Sequence, residues 1–212
     1  MLQVKDSMAS EVTTLSPEDT AGDALALCRE RRIRHLPVLE GGSLVGIVSD
    51  RDLRSATPAF GDPARASALA QVRVGDVMAT EVVTARPDDP IDTAANTMRE
   101  KGINCLPVLE GGDLVGIVTS SDVMESLVYL LGAHEPGSRM EVLVPDRPGT
   151  LAGVAGLIGE LGVNIVSVVT GPRQVGEPPS RVAVFRVDTI DPNHAAGILE
   201  KAGYSVLWPP RP

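Results

Sequence analysis

The sequence predicts an α+β protein made of two copies of a βαββα unit followed by one βαββαβ unit. Three observations carry that expectation. Residues 33–48 recur as residues 103–118 with only three differences, Arg34/Asn104, His35/Cys105 and Ser43/Asp113. The same offset of 70 aligns Val4, Asp6 and Met8 with Val74, Asp76 and Met78, and Asp52 with Asp122. Residues past 138 follow a different order of apolar runs and turns. A gapless internal repeat means two copies of one supersecondary unit, and overlooking it would misassign the whole fold.

Within each copy, Val12–Thr14 and Val82–Thr84 read as short β-branched strands stopped by Pro17 and Pro87. Asp19 and Asp89 stand at expected N-cap positions, with Pro90 as a first helical residue. Ala24, Leu27 and Cys28, and in the second copy Ala94, Thr97 and Met98, recur at i, i+3 and i+4 as one inward stripe. Leu-Pro-Val-Leu, Glu-Gly-Gly and Leu-Val-Gly-Ile-Val then read as a hairpin whose glycines supply positive φ. A last helix opens at Ser49 or Thr119. Residues 55–71, rich in Ala, Pro and Gly, read as a linker or surface loop.

After a break at 132–138, Met140–Val144 reads as a strand and Asp146–Leu151 as a turn into a helix over 151–161. Gly162 is a natural residue to end that helix. Strands at 164–170 and 181–187, a helix at 192–202 and a strand at 205–208 complete βαββαβ, the ferredoxin-like order. The expected domains are 1–57, 72–131 and 139–209, with linkers at 58–71 and 132–138.

Aromatic residues are only 2% of the chain, so its cores must be thin layers of aliphatic side chains. A net charge of −9 disfavours nucleic acid as a partner, because phosphate binding needs a basic face. Cys28 and Cys105 and three scattered histidines fit no metal-ligand spacing, so no metal site is expected. The first residues lack a signal segment, and no apolar run nears the ~18 residues of a membrane span. The expectation is a soluble cytoplasmic protein, not bound to membranes.

The chemistry-bearing motif is Gly-x-x-[Ser/Thr]-x-x-Asp, present as Gly46 to Asp52 and Gly116 to Asp122 where a strand feeds a helix. A hydroxyl and a carboxylate one turn apart can grip the vicinal hydroxyls of a ribose. They can equally form a capping box that satisfies the free N–H groups of the first turn. The glycine would let a ligand approach the backbone.

These paired units, each with Leu-Pro-Val followed by Gly-Ile-Val-[Ser/Thr]-x-x-Asp, resemble the tandem CBS repeats of a Bateman module over residues 1 to about 130. The resemblance implies two repeats packed with pseudo-two-fold symmetry and two clefts for adenine nucleotides. It implies that Asp52 and Asp122 bind ribose and that Ser49 and Thr119 lie at ribose and phosphate. Arg34 and His35, with Asn104 and Cys105, would face phosphate or adenine, and Arg51 and Ser121 fall inside the motifs. Arg34, His35 and Arg51 against Asn104, Cys105 and Ser121 would make the first cleft the better polyphosphate site.

The turn Asp-x-Pro-Gly-Thr-Leu with Gly-Val-Asn-Ile after the helix resembles an ACT domain. That implies an amino-acid or small-metabolite effector near Asp146, Arg147, Gly149 and Asn164, at a dimer interface. The whole arrangement is similar to the acetoin-utilisation regulators of the AcuB family. The expected function is therefore a non-catalytic sensor with an adenine nucleotide as regulatory ligand and no cofactor. It would act as a homodimer on a protein partner that the sequence does not identify. The alternative is a dimerising scaffold or enzyme subunit with vestigial clefts. No Ser/His/Asp set, metal cluster or phosphate loop supports an enzyme.

Overall fold

The computed structural model describes residues 2–59, 61–176 and 178–210. The chain forms two compact units, residues 1–126 and 127–212. The first repeat supplies α1 (Ala21–Arg31), β1 (His35–Glu40), β2 (Ser43–Ser49) and α2 (Asp50–Ser55). Two short helices follow, α3 (Arg65–Gln71) and α4 (Val74–Val77). The second repeat supplies α5 (Ile91–Lys101), β3 (Cys105–Glu110), β4 (Asp113–Thr119) and α6 (Ser120–Leu130).

The hairpins β1–β2 and β3–β4 are antiparallel with matching register, Leu36 opposite Val48 and Leu106 opposite Val118. Gly41 (φ 58) and Gly42 (φ 87) make the first turn in the left-handed region, where a side chain would strain the backbone. Leu36, Val38, Val48 and Leu53 are fully or almost fully buried with Ala21 and Ala24 of α1. Each large aliphatic side chain so buried is worth roughly 1.5–3 kcal/mol.

Three local expectations need correction. The strands expected at 12–14 and 82–84 shrink to single parallel bridges, Leu15 to Val38 and Ala85 to Val108. Pro17 and Pro87 turn the chain away two residues later, so the ladder cannot extend. Asp19 and Asp89 are not helix caps. Their carboxylates accept from Ser16 N (2.7 Å) and Arg86 N (2.8 Å) and close the preceding turns. Thr20 caps α1 instead, its hydroxyl accepting from Asp23 N at 3.1 Å, and Pro90 sits at the N-cap of α5. Within the segment expected to be a loop, residues 65–71 form α3, as their alternate alanines favour.

The two repeats exchange their N-terminal segments. Val4 is buried in the core of the second repeat, with Leu106, Val108 and Val118. Val74 is buried in the core of the first. The hydrogen bonds are reciprocal: Val4 N donates to Asp89 O and Val74 N to Asp19 O, both at 2.9 Å. Ala9 pairs with Ile117 on β4, and Ala79 with Ile47 on β2. This reciprocity is the pseudo-two-fold relation of the pair.

The second unit holds β5 (Ser138–Pro145), α7 (Thr150–Glu160), β6 (Ile165–Thr170), β7 (Ser180–Val187), α8 (Asn193–Lys201) and β8 (Ser205–Trp208). Its sheet order is β6-β7-β5-β8, with every neighbouring pair antiparallel. Met140, Val142 and Val144 alternate inward on β5 and pack with Phe185, Val154, Ile158 and Leu199. The period of two on the strands and the helical stripe on α7 together produce this ferredoxin-like layer.

Candidate functional site

Each strand-to-helix junction carries a hydroxyl and a carboxylate locked together. Asp52 Oδ2 accepts from Ser49 N (3.0 Å) and Ser49 Oγ (2.6 Å), while Ser49 Oγ accepts from Asp52 N (3.2 Å). Asp122 Oδ2 accepts from Thr119 N and Thr119 Oγ1, both at 2.7 Å. The capping box is therefore complete at the first junction, while at the second the carboxylate half of it is in place. Every bond that a carboxylate accepts here falls on Oδ2, and the second carboxylate oxygen of each aspartate takes no donor among the described residues. A carboxylate held rigidly by its own helix start, with one oxygen open, suits paired hydroxyl donors.

The residue after the hydroxyl ties the junction to the neighbouring hairpin. Asp50 N donates to Arg34 O and Ser120 N to Asn104 O, each at 2.9 Å. Arg34 and Asn104 are thereby fixed beside the helix starts. A cleft of about 510 Å³ opens there, lined by Arg32, Arg34, His35, Asp50, Arg51, Asn104, Thr119, Ser120, Ser121 and Asp122, with Ala9 and Ile117.

Seven of the residues expected to bind nucleotide thus lie in one cleft: Arg34, His35, Arg51, Asn104, Thr119, Ser121 and Asp122. The expected division of charge between two clefts is not what the fold produces. Arg34/Asn104, Asp50/Ser120 and Arg51/Ser121 are repeat-equivalent pairs, and both members of each line this cleft. They straddle the pseudo-two-fold axis, so the basic side chains of the first repeat face the Thr119–Asp122 junction of the second. Ser49, Asp52 and Cys105 do not line it. Cys105 is only 7% exposed and its side chain belongs to the packed interior.

Burial lowers the His35 pKa below its ordinary value, and the Arg34 charge lowers it further, against opposing pulls from Asp50 and Asp52. His35 is therefore a neutral donor or acceptor at pH 7. Burial pushes the Cys105 thiol up to about 12. Asp50 is paired with Arg54 at 3.1 Å. Arg32, Arg34 and Arg51 have no carboxylate partner among the described residues.

Two conformational features were not legible in the sequence. Arg32, one of the arginines clustered in the first repeat, lines the cleft from the end of α1 in a left-handed conformation (φ 55). Its repeat equivalent is Gly102 (φ 67), so the Arg/Gly mismatch at this offset was the available signal. The close approach allowed by Gly46 and Gly116 is not used by a ligand. A side chain at Gly46 would collide with Met78, and one at Gly116 with Met8. Those methionines arrive on the exchanged segments, which no local pattern announced.

In the second unit a cavity of about 680 Å³ is lined by Arg147, Gly149, Thr150, Tyr204 and Ser205, with Pro145 and Pro178. Gly149 has φ 84, which the turn into α7 requires. Asp146 is not free for an effector: it pairs with Arg173 (3.1 Å) and Arg181 (2.8 Å). Asn164 is not brought to this cavity either. Pro145 lies opposite Ser180, at the start of β7, whereas Ile165 lies opposite Val187, at its end. The turn and Asn164 are at opposite ends of the sheet.

Among the described residues no cluster of His, Cys, Asp or Glu is arranged to hold a metal, and no helix is long and apolar enough to cross a membrane. Two repeats that exchange their N-terminal segments around a polar central cleft, followed by a ferredoxin-like layer, define an architecture typical of regulatory proteins. The CBS-domain model matches residues 4–58 and 74–129, and the ACT-domain model matches residues 138–203. The chain belongs to the CBS-domain family and carries a C-terminal ACT domain.

Its fold is similar to that of the Vibrio cholerae protein AcuB, named for acetoin utilization. The two are 34% identical, with TM-score 0.54 over 64% of this chain and 96% of that one. The CBS pair of protein MJ0100, solved with 5′-methylthioadenosine and S-adenosyl-L-methionine, is 29% identical, with TM-score 0.52 over 64% of this chain and 99% of that one. CBSX2, solved in complex with AMP, is 26% identical, with TM-score 0.53 over 61% of this chain and 99% of that one. The match occupies from 97% down to 23% of the length of curated relatives, so this region also occurs as part of much longer chains.

Proposed function

We propose that this protein is a regulatory sensor that binds an adenine nucleotide or a related adenosyl compound at the Thr119–Asp122 end of the central cleft. The observation that carries the reading is the convergence of Asp122, with one carboxylate oxygen open, and the unpartnered Arg34 and Arg51 in a single cleft. Asp122 would take the ribose hydroxyls, Thr119 and Asn104 would supply neutral polar contacts, and the arginines would meet phosphate. The adenosyl ligands of the structurally similar CBS pairs support this chemistry. Ser49 and Asp52 would form the corresponding ribose site at the other end. The sensing role has no catalytic step, and the signal would pass to a partner protein.

The test is calorimetric titration of adenosine, AMP and ATP into the full chain and into Asp122→Ala. A hydroxyl-to-carboxylate contact is worth roughly 1.5–3 kcal/mol. Asp122→Ala should therefore weaken adenosine by at least about tenfold, with circular dichroism unchanged. Unchanged adenosine affinity would leave Asp122 as a helix cap only.

A second reading concerns the ACT domain. Arg147, which has no carboxylate partner among the described residues, faces a cavity with Thr150 and Tyr204. This combination suits a small carboxylate-bearing effector such as an amino acid. β6 is an edge strand with Val168 and Val169 exposed at 46% and 42%. Such an edge favours pairing with a second copy, and the domain would then act as a homodimer.

A further inference from the structure

We propose that the outer face of the first repeat holds a second anion site, one that takes a linear chain of phosphoryl groups. A cavity of about 560 Å³ there is lined by Arg29, Arg32, Arg34, Arg54 and Arg65, with Asp50 as its one carboxylate. Leu25, Cys28 and Ile33 provide apolar wall. Five guanidinium groups against one carboxylate make a strongly basic hollow on a chain of net charge −9.

Two of the five arginines are engaged within the protein and, among the described residues, three are not. Arg54 pairs with Asp50, and Arg65 donates to Thr57 Oγ1 and to Pro58 O. Arg29, Arg32 and Arg34 have no carboxylate partner among the described residues. Packing cations together without anions is unfavourable, so the arrangement is one that an anion stabilises. Arg32 adds an independent observation: it is the one non-glycine residue at positive φ among the described residues. The matching helix of the second repeat ends in Gly102 at the same position. A strained residue kept at a cavity points to a use for its side chain.

The second repeat provides an internal comparison. Its equivalents of Arg29, Arg32, Arg34 and Arg54 are Arg99, Gly102, Asn104 and Met124. Arg99 bonds to Asn96 (2.8 Å) and lies 3.5 Å from Glu100. The basic hollow is therefore a property of one repeat alone. Guanidinium forks bind phosphate oxygens two at a time, and five of them around this volume match several phosphoryl groups in a row.

Arg32, Arg34 and Asp50 line both this cavity and the central cleft. The phosphoryl chain can therefore be a free polyphosphate or the tail of a nucleotide seated next door. The inference does not rest on the nucleotide reading, because the outer cavity lacks Thr119 and Asp122.

The test titrates sodium tripolyphosphate, ATP and adenosine into the full chain, magnesium-free, with Arg29→Glu and Arg99→Glu compared at equal melting temperature. Arg29 is exposed, outside the central cleft and at the same helical position as Arg99, so the pair controls for any helix effect. Arg29→Glu should weaken tripolyphosphate by about tenfold and leave adenosine unchanged, while Arg99→Glu changes neither. Tripolyphosphate affinity that survives Asp122→Ala identifies a site open to free polyphosphate. An ATP affinity that falls with Arg29→Glu identifies the nucleotide tail as an occupant. The proposal is overturned if tripolyphosphate does not bind the unaltered chain, or if Arg29→Glu and Arg99→Glu affect it equally. Failure of the nucleotide reading would appear elsewhere, as adenosine affinity indifferent to Asp122→Ala.

Discussion

The Met78 side chain, carried on the N-terminal segment of the second repeat, lies against the Cα of Gly46 on β2 of the first, leaving no room for a methyl group. Met8 stands in the same relation to Gly116. Two reciprocal contacts of this kind register the exchanged segments on the strands that lead directly into Ser49 and Thr119.

Gly46→Ala should cost about 1–3 kcal/mol of stability through overpacking. Met78→Ala made alongside it should recover part of that loss, because the clash is with a flexible side chain. Urea denaturation of both single variants and the double variant gives the coupling. Strictly additive losses would show that the two residues do not meet.

Asp52→Ala breaks a capping box and Asp122→Ala removes the acceptor for Thr119 N, so each should cost about 0.5–2 kcal/mol. Denaturant midpoints report that cost, and ligand titration reports the loss at the cleft. A loss of affinity larger than the loss of stability separates binding from capping.

The lowered His35 pKa ties stability to pH. The unfolded chain takes up the histidine proton at its ordinary pKa of 6.5, whereas the folded chain resists it. The stability this group contributes is therefore present above that pKa, and it is lost as pH falls from there towards the lower folded value. His35→Gln should flatten the fall in urea midpoint between about pH 7.5 and pH 5. An unaltered profile in that variant would assign the pH dependence to other groups.

Both thiols should be unreactive in the native protein. Cys105 is raised to about 12, and burial also raises Cys28, so little thiolate exists at neutral pH. Iodoacetamide at pH 7.5 should label neither residue until denaturant is added, as read by mass spectrometry. Rapid native labelling of Cys105 would contradict its placement in the interior.

Arg32→Gly should stabilise the protein. Relief of a left-handed side chain is worth about 1–2 kcal/mol, partly offset by the greater freedom of glycine in the unfolded chain. A gain of about 0.5–1 kcal/mol in urea unfolding is expected, together with weaker tripolyphosphate binding. A loss of stability would mean that Arg32 makes contacts that outweigh its strain.

By itself the sequence determined most of the elements and their order, apart from the strands expected at 12–14 and 82–84 and the helix at 65–71. The repeat offset defined two equivalent units, the period of two in Met140–Val144 and the stripe from Leu151 to Ile158 gave the second unit, and Gly41-Gly42 set the hairpin turn. The Ser49–Asp52 and Thr119–Asp122 pairs were legible because a hydroxyl and a carboxylate three residues apart interact within one helical turn, a purely local geometry. Only the tertiary structure decided which residues share a cleft. Arg34 and Arg51 meet Asp122 because the repeats pack about a two-fold axis, and an axis brings residues together across repeats. It likewise placed Val4 in the second core, drew Asp146 to Arg173 and Arg181, and sent Asn164 to the far end of the sheet. Those outcomes depend on long-range register and on which partner a charge reaches first, and neither quantity is encoded within a single turn or strand.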